Sequence, residues 1–448
     1  MLINEIDIHY VKIPLSLRKF SFSRPSYFEP SWIPGFKQTE MRFYLLRLGT
    51  DSGHEGFSAM PAMGSERFGL GDLIGPYLLG MNPLDLKGVG QRIQELSYVG
   101  LRNGWMEAAF YDLAGKIKKE PLWKMLGGSG GSVYPYASTG STHRHNPSVA
   151  REIVKDRIDR GFRGVKLRVK DDRIAPMVEY VAAARDEAGR NFKIMVDANQ
   201  GWPVDIVDDT PRWTPEFALE FARSIEKYGV YWLEEPLNRG DFEGLARLRK
   251  GTRTPIAGGE MNSSWNEFKS LLAKGCLDVY QPDAMLVGGT YEGGISLVYW
   301  LIKEIERLNK KSKNKLKFSP HTWTTGLGYV VGLHLVGLLP EKERSLVEYP
   351  LEGNWNPSVW GAFIKNLPVP GREGKIDIPE EPGLGIEIDM DIIRKFGRRV
   401  YHGTKSSISR HILLDRGLSM ALELKKKKEK RILENQKIDF QIPPSLFM

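Results

Sequence analysis

The chain has 448 residues, 41% of them hydrophobic and 27% charged, with 64 Lys and Arg against 55 Asp and Glu for a formal net charge of +9. This balance excludes a wholly disordered or fibrous chain, and the length exceeds what one compact core usually holds, so two or three domains are expected. One cysteine, Cys276, excludes an intramolecular disulfide framework and a Cys-based zinc site, which fits a reducing compartment.

The N-terminus, MLINEIDIHYVKIPLSL, alternates polar and apolar residues and has no uninterrupted apolar core, so it reads as a strand and not as a signal peptide. No stretch approaches the roughly 18 consecutive apolar residues of a membrane span, and a cytoplasmic protein without membrane contact is the expectation. Residues 1–60 read as two or three strands around an aperiodic insert, 16–38, which holds Phe20, Phe22, Tyr27, Phe28 and Trp32. A loop that long and aromatic is expected to be a lid or a binding loop. Residues 64–125 carry a helical pattern that ends in GWMEAAFYDLAGKIKKEPLWKMLGG.

From about residue 131 short apolar runs alternate with amphipathic helical segments. The runs are VYPYAS (133–138), GVKLRV (164–169), KIMVDAN (193–199), VYWLEEP (230–236), PIAGGE (255–260), DVYQPDAM (278–285), KFSPH (317–321) and SLVEYP (345–350). Strands separated by helices predict βα units on a parallel sheet, and eight of them predict a closed barrel. Polar residues gather at the C-terminal ends of these runs: Lys166 and Arg168, Asp197 and Asn199, then Glu234, Glu260, Asp283, His321 and Glu348. In a barrel all those ends open on one face, where such enzymes place their chemistry.

Three consecutive strands offer one carboxylate each, Asp197, Glu234 and Glu260. Converging carboxylates repel strongly in a low-dielectric pocket and call for a hard divalent cation, Mg²⁺ or alternatively Mn²⁺. Glu235 competes with Glu234, because adjacent strand residues point to opposite faces. On the next two strands, Asp283 behind His321 makes a usable general base. Lys166, Arg168 and Lys170 share one face at period two. A lysine there acts as a base or neutralises a substrate carboxylate, whereas an arginine stays protonated. Glu348 is a hydrogen-bond donor when protonated, or else a cap or ion-pair partner. The positive charge concentrates in residues 401–448, with ten Lys and Arg against five Asp and Glu. No aromatic residues interleave with those lysines, so a solvated helical tail is expected, with no nucleic-acid partner.

VDANQGW, YWLEEP, AGGE, QPDAM, SPHTW and VEYP, in this order and spacing, resemble the enolase superfamily, and most closely its mandelate racemase subgroup with its many acid-sugar dehydratases. GWMEAAFYDLAGK and PLWKMLGG resemble the segment joining that family's capping domain to its barrel. The resemblance covers roughly residues 1–400. It implies a modified TIM barrel, (β/α)₇β, at 131–355. An α+β capping domain is implied at 1–130, completed by a C-terminal return at 356–400, with 401–448 as a basic extension. It implies Mg²⁺ on Asp197, Glu234 and Glu260, with the first Glu of EEP as ligand, an Asp283–His321 base dyad, Lys166 facing the substrate carboxylate, and Glu348 donating to that carboxylate. The shared step is removal of the proton alpha to a carboxylate through a metal-stabilised enediolate. Arg168 stands where racemases of the subgroup have a second lysine. The expected function is therefore dehydration of a sugar acid, an aldonate or aldarate, to a 2-keto-3-deoxy acid. The alternatives are a racemase or epimerase of a 2-hydroxy acid or amino-acid derivative, and a non-catalytic binding protein using the basic tail. Asn199, His143, Arg24 and Trp323 are the expected substrate contacts, Arg18, Lys37, Thr142 and His145 further candidates, and a homo-oligomer is expected.

Overall fold

The computed structural model describes residues 1–16, 27–99, 102–287 and 293–438. The chain lays down β1 (Ile3–Pro14), β2 (Glu40–Thr50) and β3 (Glu55–Pro61), then β4 (Ser132–Val133), β5 (Pro135–Ser138), β6 (Gly164–Arg168), β7 (Lys193–Asp197) and β8 (Trp232–Glu234). There follow β9 (Ile256–Gly258), β10 (Val279–Tyr280), β11 (Lys317–Phe318), β12 (Val347–Pro350), β13 (Ile376–Asp377) and β14 (Gly397–Thr404). Each of the eight apolar runs contains one of the strands β5 to β12.

β5 to β12 form one curled parallel sheet in the order β11-β10-β9-β8-β7-β6-β5-β12. One helix fills each of the seven intervals: Pro147–Asp159, Ile174–Ala188, Pro215–Ser224, Phe242–Gly251, Trp265–Lys274, Gly294–Lys311 and Gly326–Val336. Several start on a side chain that accepts a backbone N–H of the first turn, namely Asn146, Thr214, Asp241, Ser264 and Thr325. Side chains join the two ends of the sheet. Ser319 Oγ donates to the Leu346 carbonyl at 2.8 Å, and Thr322 Oγ1 to the Glu348 carbonyl at 2.9 Å.

Inside the curl, Tyr136, Met195, Trp232, Ala257 and Val279 make a separate buried apolar layer, with Leu346 packed against it. Period two then decides what stands one step nearer the strand C-termini. Two residues beyond Tyr136, Met195, Trp232, Val279 and Leu346 come Ser138, Asp197, Glu234, Gln281 and Glu348. The same alternation that fills the barrel with apolar side chains therefore presents a polar ring above them. Glu260 breaks the count, since it lies three residues beyond Ala257. Gly259 sits between them at φ +118°, a left-handed conformation open to glycine, and turns the chain after β9.

The capping sheet is antiparallel, in the order β14-β1-β2-β3. β14 runs to Thr404, pairing it with Glu5, so the C-terminal return extends past residue 400 and the helical segment starts at Lys405. The reason is local: Thr404 accepts from the Ser407 N–H and caps the helix there. Across the sheet Arg47 binds Asp7 at 2.7 Å and Glu5 at 3.0 Å.

Two buried carboxylates anchor the helix Glu107–Lys118, Asp112 within the cap and Glu107 against the barrel. Asp112 accepts from the N–H of Phe57 on β3, from Lys116 Nζ and from the Leu384 N–H in the C-terminal return. Glu107 accepts the Ser296 N–H at 2.8 Å and the Ser296 hydroxyl, which places it at the N-terminus of the barrel helix Gly294–Lys311, the positive end of that helix dipole. Burial, against the opposing Ser296 bonds, pushes its pKa up to about 7. Glu107→Ala strands the Ser296 donors in a dry junction. It is expected to lower unfolding stability by roughly 1–3 kcal/mol in denaturant titration, with Glu107→Gln costing less.

Candidate active site

The carboxylate ring sits at the C-terminal mouth of the curled sheet. One oxygen each from Asp197, Glu234 and Glu260 lies within 4.8 Å of the others, and all three residues are buried. Asp197 ends β7, Glu234 ends β8, and Glu260 follows β9. Lys166 on β6 reaches into the ring, with Nζ at 2.6 Å from Glu234 Oε1, 2.7 Å from Glu348 Oε1 and 3.4 Å from Asp197 Oδ2. Arg168, two residues on, binds Asp197 Oδ2 through Nη1 and donates from Nε to the Thr139 carbonyl at 2.8 Å. Burial works against both cations, yet the surrounding carboxylates, Glu234 and Glu348 first for Lys166 and Asp197 first for Arg168, hold both pKa values above their ordinary range. Burial, with Asp197 and Glu348 adding and Lys166 opposing, lifts Glu234 to about 7.

On the far side of the ring His321 Nδ1 meets Asp283 Oδ2 at 2.8 Å, and Nε2 faces Glu260 Oε2 at 3.3 Å and Glu348 Oε2 at 4.0 Å. Asp283 Oδ1 accepts the Met285 N–H, which fixes the carboxylate behind the imidazole. Burial depresses the imidazole pKa, but Glu260, Glu348 and Asp283 outweigh it and raise His321 to about 10. Glu348 lies between Lys166 and His321. It accepts from Lys166 and from Ser138 Oγ on one oxygen and from the Thr322 N–H at 2.8 Å on the other. Burial is overcome there by Lys166, His321 and Arg168, which hold the Glu348 carboxyl well below the usual range. In this arrangement Glu348 is thus an ionised acceptor, whereas a donor role needs it protonated.

The neighbouring Glu235 has φ +46°, and its Oε2 is buried with no hydrogen-bond partner. Burial, then the charges of Glu260 and Asp197, raise its pKa well above a carboxylate's ordinary value. It backs the ring, and Glu234 is the member that joins it. The donors fit a hard cation: three buried carboxylates converge, and Glu260 Oε2 has no hydrogen-bond donor of its own. Lys166 and Arg168 both stand on the Asp197, Glu234 and Glu348 side.

A strap of the N-terminal insert covers the mouth. Ser31 donates its N–H to the Gly140 carbonyl, donates its hydroxyl to Asn199 Oδ1 at 2.6 Å, and accepts from Lys170 Nζ at 3.2 Å, joining the loops after β5, β7 and β6. Next to it Trp32 and Trp323 flank Arg168, with ring centres 5.5 and 5.3 Å from the guanidinium carbon. Phe28 stacks on Trp323 and Trp355. A Cβ on Gly140 would stand 2.4 Å from Phe28 and 2.8 Å from Trp323, so only glycine lets these rings close over β5.

Eight expected residues, Lys166, Arg168, Asp197, Glu234, Glu260, Asp283, His321 and Glu348, therefore meet at one mouth. Asn199 is there too, but its side chain is engaged by Ser31. Trp323 contacts Arg168. His143 pairs instead with Glu352 at 3.1 Å. His143, Arg144 and His145 all have φ near +50°, and this turn delivers His145 to the Lys170 N–H and Asp171. Arg24 and Arg18 lie outside the described residues, and Lys37 rests over the Tyr27 ring. Four neighbours were not anticipated: Ser138, Gln281 (Nε2 to Glu234 Oε2, 2.8 Å), Trp202 (Nε1 to Glu260 Oε1, 2.8 Å) and Ser31. Ser138 closes its apolar run and Gln281 directly follows the strand Val279–Tyr280, so the polar-strand-end signal already contains them.

Known proteins resemble this chain in sequence and in fold. Residues 149–392 match the family model described as enolase C-terminal domain-like. The L-talarate/galactarate dehydratase of Salmonella typhimurium is 30% identical over 301 residues, 66% of this chain and 66% of that protein. The arabinonate dehydratase of Saccharolobus solfataricus is 27% identical over 295 residues, 65% of this chain and 70% of that protein. This chain thus spans about two thirds of the length of these relatives. A racemase from Streptomyces coelicolor, solved with bound magnesium, superposes with a TM-score of 0.70 at 22% identity, covering 89% of this chain and 100% of that one. With more than half of its residues inside the family model and its fold shared with that solved structure, the chain belongs to the enolase superfamily.

Proposed function

We propose that this enzyme dehydrates a sugar acid, an aldonate or aldarate, to a 2-keto-3-deoxy acid. The observation that carries the reading is a single histidine base facing a carboxylate ring whose opposite side is held by locked cations. Asp197, Glu234 and Glu260 hold Mg²⁺, which when bound offsets the negative charge that grows on the substrate carboxylate as its alpha proton leaves. Lys166, kept protonated by its carboxylate neighbours, adds a second positive charge beside that carboxylate. His321 Nε2 takes the C2 proton while Asp283 keeps the other ring nitrogen protonated and oriented. The same imidazole then gives its proton to the departing C3 hydroxyl, so the C3–O bond breaks and water leaves. The resulting enol becomes the 2-keto acid.

Arg168 supports dehydration over racemisation. Its guanidinium is fastened to Asp197 and to the Thr139 carbonyl and stays charged, which leaves it no role as a second base. One observation favours a racemase or epimerase as the second reading: burial lowers Lys170 to about 8, within reach of general-base duty.

Purified protein with Mg²⁺ and a library of aldonates and aldarates in D₂O, followed by NMR, tests the function. A 2-keto-3-deoxy product from one or a few members is expected, and deuterium at C2 without dehydration supports the second reading. His321→Asn is expected to lower kcat about 10²- to 10⁴-fold and to remove C2 exchange, with the fold unchanged by circular dichroism. Chelation by EDTA should abolish turnover and added Mg²⁺ restore it. Glu260→Gln should weaken Mg²⁺ binding measured by calorimetry.

The base must be neutral to act, so the rate rises with pH through the His321 pKa. In metal-free protein an NMR titration of the His321 ring should give a midpoint near 10. Adding Mg²⁺ should move it downward, because a cation on Glu260 cancels part of the charge that raises it.

A further inference from the structure

The segment after the capping sheet, Lys405–Asn435, is helical on both sides of Gly417, whose φ of 81° and ψ of 170° break the helix. A straight helix would set Ile408 and Lys428 about 30 Å apart. Both instead touch one turn of the cap helix Leu70–Leu78. Ile408 Cδ1 is 3.2 Å from where a Cβ on Gly75 would stand, and Lys428 Nζ donates to the Pro76 carbonyl at 2.9 Å. Farther along, Ile432 packs on Gly80, and Asn82 donates to the carbonyls of Asn435 and Ile438. The segment is therefore a helical hairpin whose two ends dock on the cap and whose bend at Gly417 projects from it.

The projecting part carries Leu413, Leu414, Leu418, Met420, Leu422 and Leu424, each between 37 and 77% exposed. Six large apolar side chains stand uncovered within twelve residues, a density unlike the scattered exposure of ordinary surfaces. Directly beside them stand Lys425, Lys426 and Lys427, all exposed, followed by Lys430 and Arg431. Residues 405–435 hold nine Lys and Arg against four Asp and Glu.

We propose that this hairpin tip docks the enzyme peripherally on an anionic phospholipid surface, leucines at the acyl boundary and lysines among the headgroups. Charge selects this occupant. A second hairpin packed on the same leucines would bring two lysine clusters together, whereas an anionic bilayer accepts both the apolar and the basic part. No described helix is long and apolar enough to cross a membrane, which leaves surface attachment as the mode. The lysine run, expected from sequence to be merely solvated, acquires a partner because the fold leaves the adjoining leucines bare.

Co-sedimentation of the full chain with phosphatidylcholine vesicles containing phosphatidylserine, beside vesicles of phosphatidylcholine alone, tests the proposal. Binding to the anionic vesicles that falls as salt rises is expected. Leu414→Ser with Leu418→Ser should weaken it. Lys425→Gln with Lys426→Gln and Lys427→Gln should weaken it about a hundredfold, at roughly fivefold per lysine. All these side chains are exposed, so thermal unfolding should match the parent chain. Failure to sediment with anionic vesicles overturns the proposal, as does binding that survives both sets of substitutions. A dimer in light scattering that the leucine substitutions dissociate, without vesicle binding, assigns the tip to a second copy and also overturns it.

Discussion

Everything at the barrel mouth answers to one electrostatic problem, the confinement of six carboxyl groups in a buried space. At about 4 Å and an effective dielectric of about 20, each pair of like charges repels by about 4 kcal/mol. Asp197, Glu234, Glu235, Glu260, Asp283 and Glu348 are all buried, and the protein counters them with Lys166, Arg168 and His321. These cations are distributed unevenly. Two crowd the side of Asp197, Glu234 and Glu348, while Glu260 has only the imidazole. The same imbalance makes a cation site and a strong base at once: it leaves Glu260 short of positive charge and pushes proton affinity onto His321.

The ring is placed by the apolar layer beneath it. Tyr136, Met195, Trp232, Val279 and Leu346 fill the curl, and period two fixes what each strand offers next. Catalytic geometry is here a by-product of core packing: the residue that decides the height of Glu234 above the core is Trp232, which also donates from Nε1 to Glu234 Oε2. The cap contributes differently. Among the described residues Ser31 and Trp32 of the strap bring it to the mouth, while Glu107 holds it to the barrel helix at Ser296.

Much of this was legible in the sequence because barrel strands repeat a simple grammar. Polar residues gather near the C-terminal ends of the apolar runs, so the eight strands and eight of the mouth residues could be read by position. What escaped the reading depended on backbone turns and on long-range closure. His143 looked like a mouth residue by its place after β5, but three successive left-handed residues carry it to Glu352. Ser31 lies in an aperiodic insert, where no rule says which side chain will meet Asn199. The fold-back at Gly417 was invisible too, since a glycine inside a helical pattern usually signals only a weaker helix.

Gly259 gives the metal ring an unequal mechanical character. Asp197 and Glu234 are clamped in the ladder, opposite each other in the β7–β8 register. Glu260 stands beyond the end of its strand, on a turn made by a left-handed glycine. Two corners of the triangle are consequently set by strand pairing and the third by the turn that follows its strand. Only the Asp197–Glu234 edge is fixed by sheet pairing, and both edges that meet at Glu260 depend on the backbone turn at Gly259.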